Sequence, residues 1–142
     1  MRLELKEEWI IGHPQIDDEH RQLVVLLNDL LDKARQKDHP AVQHGISTFL
    51  DQTRQHFINE IMIMKSFGYT EGVRHARQHT RQLNEIRVLF KQTNETNIDR
   101  MMATLTDIMI RDVLQDDLHF RDYLLRRKNG HRVAPPETES TP

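Results

Sequence analysis

The stretch HFINEIMIMKSFGYTEGVRHARQH, residues 56–79, places a histidine and a glutamate four residues apart at its start and two histidines four residues apart at its end. Residues four apart on an α-helix lie one above the other on the same face. Between the two pairs, Gly68 can end one helix and Thr70 can cap the next. The stretch therefore predicts two consecutive helices, each presenting a pair of potential metal ligands on one face.

Apolar residues recur at spacings of three and four on both sides of this stretch, which predicts helices over about residues 17–37, 40–65, 70–92 and 98–127. Short connectors between four helices favour an all-α, antiparallel up-down-up-down four-helix bundle. Residues before Ile16 lack a helical period and are predicted to form an extended arm that packs through Trp9 and Ile10. We expect the bundle to occupy residues 1–128 and the Pro-, Thr- and Glu-rich tail, 129–142, to be disordered.

Polar residues occupy inward positions of all four predicted helices, where a core is normally apolar. They are His20, His56, Glu60, His75, His79, Asp117 and Asp122. A single buried histidine of this kind is more often a hydrogen-bonded core residue, but imidazoles and carboxylates from four helices are costly to bury together unless something pairs with them. Metal sites built from facing helices are a known use of such bundles. The set therefore favours a pair of transition-metal ions, with iron, manganese and zinc all compatible with these donors.

The composition fits one small helical domain. The chain has 142 residues, of which 37% are hydrophobic and 30% charged, and its net charge of −2 disfavours nucleic acid and anionic membranes as partners. The absence of cysteine excludes disulfides, thiolate zinc sites and iron–sulfur clusters. The acidic N-terminal sequence MRLELKEEW is unlike a signal peptide, and we expect no membrane span and a cytoplasmic location.

The chain resembles the bacterial hemerythrins. The resemblance is carried by Trp9, by IDDEH ending at His20, by HFINE (56–60), by the connector FGYTEGVRH (67–75) and by HARQH (75–79), and it extends from about Trp9 to Leu125. It implies a non-haem di-iron centre in which two iron ions (Fe2+/Fe3+) share an oxo or hydroxo bridge and two carboxylates. It also implies that O2 binds end-on at one iron.

Carried over by position, the resemblance implies that His20 and His56 hold the iron that is open to O2. His75 and His79 would hold the other iron, and Glu60 and Asp122 would be the bridging carboxylates. Three positions depart from the family pattern: Asp117 replaces the usual fifth histidine, Val113 a tryptophan, and Ile61 a second glutamate.

Asp117 is the departure that matters most for the chemistry. Its place on the inward stripe predicts an oxygen ligand, although water could fill the position instead or one metal could be lost. An added negative charge would favour ferric iron and speed autoxidation. His119, roughly 200° further around the helix, is expected to face outward.

Two classes of function are consistent with this pattern. The first is O2 binding as a carrier, store or sensor, with fast autoxidation, and it makes the protein an O2 binder rather than an enzyme. The second is a di-iron enzyme that reduces O2 or peroxide, or oxidises iron or nitric oxide; the carboxylate-rich ligand set favours it. The first is preferred because the sequence shows no further ionisable residue beside the ligands to relay protons. We expect O2 as the ligand, a monomer or weak dimer, and an unidentified protein partner if the role is sensing.

Overall fold

The computed structural model describes residues 2–128. Its helices are α1 (Pro14–Arg35), α2 (His39–Ser66), α3 (Gly72–Gln92), α4 (Ile98–Ile108) and α5 (Leu118–Lys128), with a 3-10 turn at Glu7–Trp9 and a π-helical segment at Met109–Gln115. These residues include no strand, and none of their helices has both the length and the apolar character needed to cross a bilayer. The predicted all-α four-helix bundle is confirmed, with α4, the π segment and α5 together forming its fourth helix. The predictions for residues 129–142 lie outside the described part of the chain.

The bundle has an apolar core on each side of the inward polar residues. Helix α1 packs against α2 and α4, and α3 packs against the same two neighbours. The larger cluster includes Leu23, Leu27, Ile46, Phe49, Ile86, Leu105 and Met109. The smaller cluster comprises Ile11, Ile16, Met64, Phe120 and Tyr123. Burial of these side chains drives association of the helices and leaves the polar residues enclosed between two apolar layers.

The connection between α2 and α3 depends on Gly68. This residue has a φ of +70°, a left-handed conformation that is easily adopted only by glycine. Its backbone N–H donates to the Lys65 carbonyl at 3.0 Å, and the N–H of Tyr69 donates to the Met64 carbonyl at 3.0 Å. This pair of bonds satisfies the last carbonyls of α2 and turns the chain into α3. The predicted role of Gly68 is confirmed.

The N-terminal arm is tied to the bundle by a reciprocal pair of hydrogen bonds. The backbone N–H of Leu3 donates to the Asn28 side-chain oxygen at 2.8 Å, and the Asn28 amide donates back to the Leu3 carbonyl at 2.8 Å. Trp9 is buried, as predicted, but the second deeply buried residue of the arm is Ile11 rather than Ile10. The arm is therefore an integral part of the core.

The fourth helix is not the regular α-helix that was predicted. Eight residues separate Met109 from Asp117, which on a regular α-helix is a rotation of about 80°. Both residues are nonetheless buried. The π segment between them has wider turns and accommodates one extra residue. It therefore keeps Asp117 on the same inward face as Met109.

Candidate metal centre

Four imidazoles and two carboxylates meet between the two apolar clusters. His20 comes from α1, His56 and Glu60 from α2, and His75 and His79 from α3, while Asp117 immediately precedes α5. None of the six is more than 6% exposed. Because the ligand pairs on α2 and α3 are four residues apart, both members of each pair point into the centre.

The donor atoms divide into two groups. In the first, His20 Nε2 and His56 Nε2 are 3.1 Å apart, Glu60 Oε2 is 3.2 Å from His56 Nε2, and Asp117 Oδ2 is 2.9 Å from His20 Nε2. Donors that share a metal ion at bond lengths of about 2.1 Å lie roughly 3 Å apart. The spacing of this group therefore suits a metal ion.

The second group repeats the same composition. Glu60 Oε1 lies 2.9 Å from His75 Nε2 and 3.0 Å from His79 Nε2, and Asp117 Oδ1 lies 2.9 Å from His75 Nε2. In both groups the potential ligand atoms are all within 4.8 Å of one another. Each carboxylate thus offers one oxygen to each group.

Several of these atoms are buried without a hydrogen-bond partner. They are Glu60 Oε2, His79 Nε2 and both carboxylate oxygens of Asp117. Unsatisfied polar atoms are costly in a protein interior, and native proteins contain few of them. Nitrogen and oxygen donors of this kind suit a divalent transition metal, and one ion in each group would satisfy all four atoms. The residues present therefore fit a metal centre.

Two further carboxylates contact the outer sides of the imidazoles. His56 Nδ1 is 2.7 Å from Glu19 Oε1, a hydrogen bond in which the ring N–H donates, and Asn59 donates to Glu19 Oε2 at 2.8 Å. His75 Nδ1 faces Asp116 Oδ2 at 3.5 Å. The prediction that no other ionisable residue adjoins the site is therefore wrong. Glu19 and Asp116 each directly precede an inward residue in the sequence, but their contacts with the imidazoles depend on packing between helices, so no pattern within one helix could have revealed them.

The electrostatics of the cluster favour protonation of two of its imidazoles, His56 and His75. Burial disfavours the charged form of His56, but the charge of Glu60 and the hydrogen bond with Glu19 outweigh it and raise the pKa of His56 to about 10. Burial likewise opposes the charge on His75, but contacts with Asp117 and Glu60 raise its pKa to about 10. A metal ion must displace these protons in order to bind.

The two carboxylates are affected in opposite directions. Burial and the neighbouring charge of Glu60 raise the pKa of Asp117. Burial also opposes ionisation of Glu60, but its contact with Asp117 and the charge of His56 hold its pKa well below the usual range. Two adjacent carboxylates cannot both carry full charge at low cost, so their pKa values separate.

The chain matches no family model. A bacteriohemerythrin from Pseudomonas aeruginosa is 30% identical over 114 residues, which cover 78% of this chain and 74% of the relative. A bacteriohemerythrin from Pseudomonas paraeruginosa has the same identity and coverage. One from Stenotrophomonas maltophilia is 28% identical over 127 residues, or 87% of this chain and 82% of the relative.

The chain belongs to the bacteriohemerythrin family. The expected resemblance is confirmed, and membership implies that the buried His, Glu and Asp cluster is a non-haem iron site. Five residues predicted as ligands, His20, His56, Glu60, His75 and His79, lie together in this bacteriohemerythrin centre.

Asp122 lies outside the cluster that the structure brings together, and its role as a bridging ligand stays a prediction. Its side chain is 51% exposed and pairs with Arg121 at 3.0 Å. The physical reason is the helical register: α5 is a regular α-helix, and five residues along it turn the side chain by about 140°. A wide π turn between Asp117 and Asp122 could have reduced this rotation, but the π segment lies before Asp117. The carboxylate placed opposite Glu60 is therefore Asp117.

The position of Asp117 itself agrees with the prediction. It is 2% exposed and belongs to both ligand groups, whereas His119 is exposed, as expected from its angle on the helix. Its role as a metal ligand stays a prediction. The structure changes the nature of that role. Asp117 lies between the two groups and belongs to both, whereas a histidine in its predicted place would contact one metal only.

Proposed function

We propose that this protein is a di-iron O2-binding protein, with one iron ion in each ligand group and Glu60 and Asp117 shared between them. The observation that carries the proposal is the division of six buried residues into two groups of two nitrogen and two oxygen donors. His20 and His56 would hold one iron, and His75 and His79 the other. When bound, the iron pair would supply the electrons that O2 chemistry requires.

The surroundings of the centre support a small ligand. Apolar side chains such as Leu23 and Ile16 lie on either side of His20 along α1 and are at most 2% exposed. A polar pocket of about 50 Å³, lined by residues that include Glu19, Gln52, Gln55, His56 and Asn59, reaches the outer side of the cluster. One water molecule occupies about 30 Å³ of liquid, so this pocket suits a molecule of few atoms. A diatomic ligand fits these dimensions.

The second candidate function is a di-iron enzyme that reduces O2 or peroxide, or oxidises iron or nitric oxide. The hydrogen bond between Glu19 and His56 favours it, because it places an ionisable carboxylate between the pocket and the centre. The two shared carboxylates favour the ferric state, which shortens the lifetime of an O2 complex. Fast autoxidation is therefore part of the O2-binding proposal. Repeated catalytic turnover of O2 or peroxide is what would distinguish an enzyme from an O2-binding protein.

The proposal is tested by loading the metal-free protein with Fe2+ without air, measuring its iron content and then admitting air. We expect about two irons per chain and a visible absorption band that appears with O2, bleaches under vacuum and decays with time. Sustained consumption of O2 or peroxide with no such band would support the enzyme instead. An iron content of one or none in a fully helical protein would contradict the di-iron proposal.

A further inference from the structure

The ligand sphere has an approximate two-fold character. Each group contains two histidines, one with a carboxylate on its outer nitrogen and one without. In the first group Glu19 backs His56, while the outer nitrogen of His20 has no hydrogen-bond partner. In the second group Asp116 faces His75, and the outer nitrogen of His79 likewise has no partner. Behind the donors the repetition is partial, because Glu19 hydrogen-bonds to His56 at 2.7 Å whereas Asp116 lies 3.5 Å from His75 without a hydrogen bond.

We propose that the two metal positions are equivalent, and that both keep coordination positions open to a small exogenous ligand. This inference rests on the di-iron function proposed above. It differs from the arrangement that the sequence resemblance implied, in which one iron has fewer protein ligands than the other and alone accepts the ligand.

The donor count supports equivalence. Glu60 and Asp117 each direct one oxygen to each group, at distances of 2.9 to 3.2 Å from the nearest imidazole nitrogen of that group. Each position then has four protein donors, two of nitrogen and two of oxygen. A fifth imidazole on one side would break this balance, but His119, the one histidine of α5, is exposed.

Equivalence of the donors has a consequence for ligand binding. Non-haem iron held by few protein ligands retains positions that exogenous molecules can occupy. With four donors on each side, neither iron is filled by the protein. Small anions such as azide should therefore affect both irons and not only the one held by His20 and His56.

Mössbauer spectroscopy of protein loaded with the appropriate iron isotope tests the inference directly. In the all-ferrous state we expect one quadrupole doublet that accounts for both irons, and after oxidation we expect azide to shift the signals of both irons together. Two doublets of equal area, or an azide response of only half the iron, would overturn the inference. An iron content near one per chain would instead overturn the proposed function, and this inference with it.

Matched variants provide a second measurement. His56→Ala and His75→Ala each remove the carboxylate-backed imidazole of one position. If the positions are equivalent, both variants should show the same pair of doublets and lose iron affinity by the same factor, within about threefold. A large loss from one variant and a small loss from the other, with helix content retained in both, would contradict equivalence. The wild-type spectrum remains decisive if either variant fails to fold.

Discussion

At the scale of single residues, Glu60 connects more of the centre than any other side chain described. Its Oε1 contacts His75 and His79, and its Oε2 contacts His56 at 3.2 Å and His20 at 3.8 Å. It is fully buried, so no water can replace its charge. Loss of this carboxylate would leave four imidazoles with one shared counter-charge, that of Asp117.

We therefore expect Glu60→Ala to lose both irons rather than one. His20→Ala should weaken mainly the iron held with His56, because only one donor of one group is removed. Loss of a supporting carboxylate elsewhere typically costs ten- to a hundredfold in metal affinity, and loss of a shared ligand should cost more. Iron analysis and the charge-transfer absorption measure both outcomes. A Glu60→Ala protein with the full spectrum of the wild type would disprove the bridging role.

The two aspartates of the fourth helix give a matched pair of substitutions. Asp117→Asn keeps the shape of the side chain but removes the charge shared by the two groups, so iron content should fall by at least half. Asp122→Asn changes a side chain that is 51% exposed and should leave iron content unchanged. Elemental analysis of both proteins, prepared in parallel, checks the prediction. The reverse result would show that α5 rotates by more than a quarter turn when metal binds.

Four of the inward residues that the sequence placed share one property, which is a four-residue spacing on a regular helix. His56 with Glu60 and His75 with His79 could be placed because such a spacing determines the face without knowledge of the fold. Asp122 could not, because its orientation depends on where a helix departs from regular geometry. The position of Glu19 depends on packing between α1 and α2, which no pattern within one helix reveals.

At the scale of elements, the π segment determines which residue of the fourth helix reaches the metal centre. The buried residues Met109, Val113, Leu114 and Asp117 have spacings of four, one and three. With one residue removed before Val113, they would have the spacings of a regular amphipathic helix: three, one and three. The sequence contains this information, but periodicity alone does not distinguish an irregular stripe from a widened turn.

We expect deletion of Arg111 to convert the π segment into regular α-helix without loss of iron. Arg111 is exposed, and its contacts with Asp112 and Glu85 are surface ion pairs of small energetic value. The melting temperature should stay within about 5 °C of the wild type. Circular dichroism melting and iron analysis measure these effects.

Deletion of Gln55 is the control, because this residue is also exposed but lies in the regular helix α2. There the deletion would turn His56 and Glu60 by about 100° relative to the core residues before them, so iron binding should be lost. If the Arg111 deletion is as damaging as the Gln55 deletion, the π segment does not simply absorb an extra residue.

At the scale of the whole molecule, the fold and the site impose opposite demands. The apolar stripes that made the four-helix bundle predictable place hydrophobic layers on both sides of the centre. Those layers exclude water from six ionisable side chains, which then depend for stabilisation on one another, on the neighbouring carboxylates Glu19 and Asp116, and on protons or metal. The number of helices can be predicted from the apolar stripes alone. Which of the buried groups carry protons depends on distances that only the folded structure defines.

The stability of the metal-free protein should consequently fall as pH rises from 6.5 to about 10. The folded-state pKa values of His56 and His75 are raised from 6.5 to about 10, so the folded protein binds more protons than the unfolded chain in this interval. Their stabilising contribution is complete below pH 6.5 and is lost as pH passes through the raised values. Urea unfolding at a series of pH values measures the slope.

Glu60→Gln and His44→Ala distinguish this cause from a general effect of alkaline pH. Glu60→Gln removes a charge that helps to raise both histidine pKa values, and it should flatten the slope. His44→Ala alters an exposed histidine and should leave the slope as it is in the wild type. If the wild-type and Glu60→Gln proteins lose stability equally between pH 6.5 and 10, the protons released in this interval do not come from the buried imidazoles. The same protons oppose metal binding, so a flat slope would also remove the reason to expect iron affinity to increase with pH.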